Sequence, residues 1–213
     1  RGLRWRILAR DAGLHQLQDT TMPSVLRFSQ LILIGWFVNS VTWLRLGDAY
    51  RAHIFSKGSN VNFSWSMGTV LAERVVDMVV VLTFMMASAL FFSVNGDFGN
   101  LRYILLAAAV LAAVLFVLVL LMKSYGLQIS RFLPVRFESS YHRFHQGTLG
   151  GMKEKQVLFI LGSVAWVLEI ARLYFVVQSL GLNISIPLVV VAALGHAILS
   201  TVPTPGGVGA VEP

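Results

Sequence analysis

Apolar residues in this chain gather into five long runs, at about Leu26 to Leu44, Val70 to Val94, Leu101 to Met122, Gln156 to Leu180 and Ile186 to Val202. None shows the period-two alternation of a half-buried strand. In lipid only helices and closed barrels satisfy every backbone polar group, so all five runs predict helices. The stretch from Tyr103 to Met122 is the plainest case, twenty residues without a charge, which matches the ~20 a helix needs to cross ~30 Å of hydrocarbon. The pattern predicts an all-α fold, a polytopic transmembrane helix bundle occupying 1–213 as a single domain. Between the second and third runs, Asn95-Gly96-Asp97-Phe98-Gly99-Asn100 is rich in turn formers and predicts an antiparallel hairpin.

Two runs are irregular. The first contains Gly35, Asn39, Ser40 and Thr42 and has basic residues at both ends, so it predicts either a re-entrant segment or a span that breaks the charge rule. The last is short and runs into Pro203-Thr204-Pro205-Gly206-Gly207-Val208-Gly209, where a helix must stop. Paired interrupted segments are a pointer to the binding site of a transporter.

Composition agrees with a membrane protein. The chain is 56% hydrophobic and 13% charged, against roughly 45–50% and about 25% in soluble domains. It has no cysteine, which excludes disulfides, thiolate metal sites and cysteine nucleophiles. A start at Arg1 rather than Met suggests a piece of a longer polypeptide, with Arg-Gly-Leu-Arg-Trp-Arg as a juxtamembrane segment. The net charge of +7 is unevenly spread: Arg1, Arg4, Arg6 and Arg10, then Arg45, Arg51 and Lys57, then Lys123, Arg131, Arg136, Arg143, Lys153 and Lys155. The turns at Asn95 to Asn100 and Gly181 to Ser185 carry almost none. The positive-inside rule then predicts a multi-pass cell-membrane protein with its basic loops cytoplasmic. Topology and anionic lipid account for the charge, and no nucleic-acid module is visible. The basic connection 123–155 carries Phe132, Phe137, Tyr141 and Phe144, and is read either as an interfacial amphipathic helix or as a solvated linker.

Charges inside spans mark candidate chemistry, because each costs of order 2.5–3.5 kcal/mol at mid-helix on insertion scales. Glu73, Arg74 and Asp77 share one run, with the carboxylates four apart on one face and Arg74 three before Asp77. Their sum is −1, so a second cation is required, from Arg45, Arg51 or Arg172, unless one carboxylate is protonated by burial. Glu169 and Arg172, three apart in the fourth run, can neutralise one another. A bundle that places all five inside has a polar interior, which needs water or a headgroup. His142 and His145 are read as a loop pair rather than a metal site, and His196 as packing. No phosphate loop, nucleophile elbow or zinc motif occurs, so neither catalytic residues nor a metal nor a cofactor is expected.

The order of several motifs resembles the flippase-like transmembrane region of the lysylphosphatidylglycerol synthase family, which also occurs as stand-alone membrane proteins. The resemblance rests on Trp5-Arg6, then Gly35 and Asn39 leading to Arg45-Leu46-Gly47-Asp48-Ala49-Tyr50-Arg51, then Glu73-Arg74-Val75-Val76-Asp77, and last Pro203 to Gly209 continuing through Ala210-Val211-Glu212. Trp43 departs from it, standing where the family pattern has proline. The resemblance implies translocation of a polar-headgroup lipid between leaflets, an aminoacylated phosphatidylglycerol or a glycolipid. The alternative is a non-catalytic membrane subunit for a separate lipid-modifying enzyme or glycosyl transferase. On this basis the headgroup residues are expected to be Arg45, Asp48, Arg51, Glu73, Arg74, Asp77, Glu169 and Arg172. The interrupted helices are expected at Asn39 and Gly47, and at Pro203, Pro205, Gly206, Gly207, Gly209 and Glu212.

Overall fold

A computed structural model describes residues 1–14, 22–42, 46–95, single positions between 106 and 124, 135–182 and 184–199. These residues form helices and no strands: α1 (Gly2–Asp11), α2 (Val25–Val41), α3 (Gly47–Gly58), α4 (Phe63–Asn95), α5 (Val135–Gly150), α6 (Lys155–Ser179) and α7 (Ile186–Leu199). The described positions from 106 to 124 are helical and exposed.

Local chemistry sets several of these ends. Ser24 caps α2, its hydroxyl accepting the backbone N–H of Arg27 at 3.3 Å. In the last turn of α2 the hydroxyls of Ser40 and Thr42 donate back to the carbonyls of Phe37 and Val38, each at 2.7 Å, which loosens a helix end. At the other end of the chain, α6 closes in a Schellman motif. Gly181 has φ 73°, and the N–H groups of Gly181 and Leu182 donate to the carbonyls of Gln178 and Val177. The turn expected at Gly181 to Ser185 begins there.

The first irregular run is an antiparallel helical hairpin. α2 runs without a break through Gly35 and Asn39, and α3 lies antiparallel along it. Gly35 and Gly47 bring the two backbones together, since a Cβ on Gly47 would overlap the Gly35 carbonyl oxygen. Asn39 fixes the register by accepting the Gly47 N–H on Oδ1 at 2.8 Å. Asn39 is thus within a continuous helix and Gly47 opens the next one, and residues 43–45 between the two helices lie outside the described residues.

Contrary to the juxtamembrane reading of the first residues, α1 is a core helix. Trp5, Leu8, Ala9 and Ala12 are buried on one of its faces. Trp5, Phe28 of α2 and Phe55 of α3 form a triangle of rings with centroids 5.1–5.4 Å apart, the separation at which aromatic pairs attract. The short α1 stretch reads as polar because Arg4, Arg6 and Arg10 interleave with its apolar residues.

α5 settles the character of the basic connection, part of which is a helix packed on α4 rather than a solvated linker. Gly68 and Gly147 meet so closely that a Cβ on either would overlap backbone of the other helix, the close approach small residues permit. A second cluster, Val80, Val81, Met85, Trp166 and Leu194, joins α4, α6 and α7. Ser88 of α4 donates to the Pro187 carbonyl at the start of α7.

This packing sorts the molecule into two poles. The end of α1, the starts of α4 and α6 and the last turn of α5 meet at one pole, where Trp65 donates to the Ala12 carbonyl and Arg10 pairs with Glu154. Asp11 there accepts the Glu154 N–H at 3.2 Å and serves the first turn of α6. The Gly181 turn lies at the far end of α6. Along α6 the outward residues Val157, Ile160, Val164, Val167, Leu168 and Phe175 are exposed. With 25 residues, α6 is the described helix long and apolar enough to cross a membrane, while α2 and α7 are shorter apolar helices.

Candidate ion network

α4 builds the floor of the site. Glu73, Arg74 and Asp77 occupy its first half, in a segment otherwise made of Val, Leu, Met and Ala. Helical spacing puts Glu73 and Asp77 on one inward face with Arg74 at its edge. α1 faces them with Arg4, and α3 with Asp48 and Arg51.

The six groups interlock. Arg4 forks between the two carboxylates of α4, with Nη2 at 3.0 Å from Glu73 Oε1 and Nη1 at 2.7 Å from Asp77 Oδ1. Arg51 Nη1 lies 2.8 Å from Glu73 Oε2, and its Nε donates to Asp48 Oδ1 at 3.0 Å. Arg74 donates to both oxygens of Asp48, from Nε and Nη2, each at 3.0 Å. Its guanidinium is 3.7 Å from Asp77 Oδ2. Three arginines therefore meet three carboxylates and the formal charge sums to zero. Aromatic groups wall the cluster: the Arg51 guanidinium lies 4.7 Å from the Trp5 ring centroid, and Trp166 Nε1 donates to Asp77 Oδ1 at 3.2 Å.

Exposure is graded across the network. Arg4, Arg51 and Glu73 are almost wholly buried, whereas the side chains of Asp48 and Arg74 are 31% and 33% exposed. The bidentate Arg74–Asp48 pair thus forms the open edge of an otherwise enclosed cluster.

Of the expected headgroup residues, the structure brings together Asp48, Arg51, Glu73, Arg74 and Asp77. It supplies Arg51 as one missing cation and shows Asp48, not Asp77, as the main partner of Arg74. The remaining cation is Arg4, which the sequence reading left in the basic N-terminal segment. A signal for it was present: Arg4 stands on the same helical face as Leu8, beside Trp5, and the charge arithmetic needed one cation more once Asp48 joined. Glu169 and Arg172 are not part of the network. They pair with one another on α6, with the Arg172 side chain 74% exposed. Asn39 and Gly47 lie at the hairpin contact, one turn before Arg51. Arg45 and the residues Pro203, Pro205, Gly206, Gly207, Gly209 and Glu212 lie outside the described residues.

A separate cleft of about 290 Å³ lies on α1, lined by Arg6, Ile7, Arg10 and Met22. Its two guanidiniums are already engaged, Arg6 with the Pro23 carbonyl and Arg10 with Asp11 and Glu154.

The family model for the lysylphosphatidylglycerol synthase TM region matches residues 1–212. The chain belongs to this family. Its similarity to curated proteins of that type is modest in identity and broad in extent. A UPF0104 membrane protein of Methanocaldococcus jannaschii is 28% identical over 83% of this chain and 76% of its own length. Others from Pyrococcus horikoshii and Methanothermobacter thermautotrophicus are each 26% identical over 99% of this chain, and over 69% and 68% of their own lengths. No solved structure matches the chain. A membrane protein of the lysylphosphatidylglycerol synthase TM region family therefore carries, in this chain, six ionisable side chains packed among its helices.

Proposed function

We propose that this chain translocates a polar-headgroup lipid between leaflets, as a non-catalytic, multi-pass cell-membrane protein with its basic pole in the cytoplasm. The observation that carries the reading is the neutral network with one open edge. A headgroup moving through hydrocarbon must exchange water for protein partners, because an unpaired polar or charged group there costs several kcal/mol. A ladder of alternating charges offers such an exchange step by step.

In this reading the lipid phosphate displaces Asp48 from the fork of Arg74 and Arg51, by charge-assisted hydrogen bonds of the kind those donors already make. Arg45, one residue before Leu46, is assigned to the same phosphate. The freed Asp48, and Glu73 and Asp77 behind it, then receive hydroxyl or ammonium groups of the headgroup, while Arg4 keeps the buried carboxylates balanced. Glu169 and Arg172 are assigned to a later position along the same route on α6. The hairpin tip near Asn39 and Gly47, together with Pro203, Pro205, Gly206, Gly207, Gly209 and Glu212, supplies backbone groups and the moving parts. Acyl tails stay against the apolar outer faces of α2 and α6. The lipid classes to which the reading applies are aminoacylated phosphatidylglycerol and glycolipids.

Leaflet exchange of fluorescent lipids in proteoliposomes tests it, comparing wild type with Asp48→Asn and Glu73→Gln. Exchange is expected in wild type and strongly reduced in both variants, with insertion unchanged. Undiminished exchange in both would remove the network from the mechanism. A second reading is favoured by the internal neutrality of the network, since six groups whose formal charges already balance can serve purely to hold helices. The chain would then be a membrane subunit that positions a lipid-modifying enzyme or glycosyl transferase, and paired neutralisation of Asp48 and Arg74 would leave its activity in cells intact.

A further inference from the structure

Above the network, the Arg1 guanidinium lies between two indole rings from different helices. Its Cζ is 5.3 Å from the ring centroid of Trp36 on α2 and 5.5 Å from that of Trp166 on α6. Both distances fall within the ~6 Å over which a ring face attracts a cation. Among the described residues Arg1 makes no ion pair, so the indole faces are what its charge meets. Trp166 is buried and held by the hydrogen bond from Nε1 to Asp77, whereas Trp36 is half exposed on the outer surface of α2.

From this geometry we infer a second site, in which Trp36 and Trp166 bind the alkylammonium group of a lipid headgroup in the place that the Arg1 side chain occupies. The inference deepens the translocation reading and rests on it only for what happens to the lipid after binding. Three features select the ligand. Ring faces carry negative potential, so they accept a cation and repel a phosphate. A guanidinium is already held there, which makes Arg1 a tethered competitor. Trp36 faces outward from an apolar helix, so entry from the membrane leaves acyl tails in hydrocarbon while the ammonium group reaches inward to Trp166, with Asp77 behind it. The site thus differs from the Asp48–Arg74 edge in the sign of what it takes.

Native mass spectrometry of the detergent-solubilised chain tests binding without requiring transport. The probes are dihexanoyl lipids with choline or glycerol headgroups, a short-chain glucosyl lipid, and free choline. Wild type is expected to retain the choline lipid over the glycerol lipid. Trp36→Leu should weaken the choline lipid about fivefold and Trp36→Phe should recover part of that loss, as expected for one partly desolvated ring face. Removing the competitor by Arg1→Ala should tighten the choline lipid and leave the glycerol lipid unchanged. Equal retention of choline and glycerol lipids, insensitive to both substitutions, would overturn the site. So would preference for the glucosyl lipid, or for free choline over the lipid. Should Trp36→Leu not fold, the Arg1→Ala gain decides the matter alone. Failure here with leaflet exchange intact would reject the site and leave the transport reading standing.

Discussion

Arg4 shows how strongly a single side chain can depend on its partners. It is 1% exposed and is the group that touches both Glu73 and Asp77. Burying an ion is tolerable only when its charge and hydrogen bonds are met, and removing one partner from such a cluster typically costs about 3–5 kcal/mol. Arg4→Met should therefore lower the thermal unfolding temperature of the detergent-solubilised protein sharply, although the methionine nearly conserves volume. Adding Asp77→Asn should recover part of the loss, because the carboxylate stranded by the first change is then neutral. A double-mutant cycle reads this directly as a coupling between positions 4 and 77. Additive losses would mean that the two groups act independently. The Glu169–Arg172 pair makes the opposite case: it lies apart from the network on α6, so neutralising both of its members together should show no coupling to Arg4→Met in the same kind of cycle.

At the scale of helices, close approach of backbones is the recurring device. Gly68 and Gly147 seat α5 on α4, and a side chain at either has only backbone to displace. Gly147→Val should destabilise this contact by roughly 1–3 kcal/mol, the usual range for overpacking, and hydrogen exchange should report it as loss of protection confined to α5 and the start of α4. Gly150→Ala, whose added carbon would stand 3.4 Å from Ala12 Cα at ordinary contact distance, is the tolerated control. Equal protection in the two variants would place the α4–α5 contact elsewhere.

Such contacts also mark how far the chain's pattern could be read. The apolar run Gln156 to Leu180 matches α6, which spans Lys155–Ser179, because a membrane-length apolar run leaves few alternatives; α4 starts at Phe63, well before the run at Val70, and most of the run Leu101 to Met122 lies outside the described residues. The Gly181 turn was legible for the same local reason, a glycine free to adopt positive φ where a helix stops. Two features were not. Burial of α1 depends on Phe28 and Phe55, far along the chain, and its arginines make it look like a surface segment. The network was legible as a charge deficit on α4, but which cations fill it depends on how α1 and α3 dock. Asp48 entered through the family resemblance and Arg51 as one of three candidates for the missing cation; Arg4 followed from neither.

For the molecule as a whole, the hairpin bears on the choice between re-entry and spanning for the first irregular run. α2 has 17 residues and α3 has 12, which at 1.5 Å per residue is about 25 and 18 Å, both short of the ~30 Å hydrocarbon thickness. Arg27 at the start of α2 and Lys57 at the end of α3 sit at the open end of this antiparallel pair. The tip, with Asn39 bound to Gly47, abuts the buried Arg51. A turn at membrane depth is sustainable only where protein or a wet cavity covers its backbone, and the ion network provides such cover. The absence of native cysteine makes the consequence directly measurable. Single cysteines at Arg27, Lys57 and Lys153 should react with a membrane-impermeant maleimide from the same side of sealed vesicles, and a cysteine at Leu182 from the other. If α2 were an ordinary span, Arg27 and Lys57 would label from opposite sides. Agreement between Lys57 and Lys153 matters as much, because it ties the hairpin's open end to the basic pole and so fixes which leaflet the Asp48–Arg74 edge must be approached from.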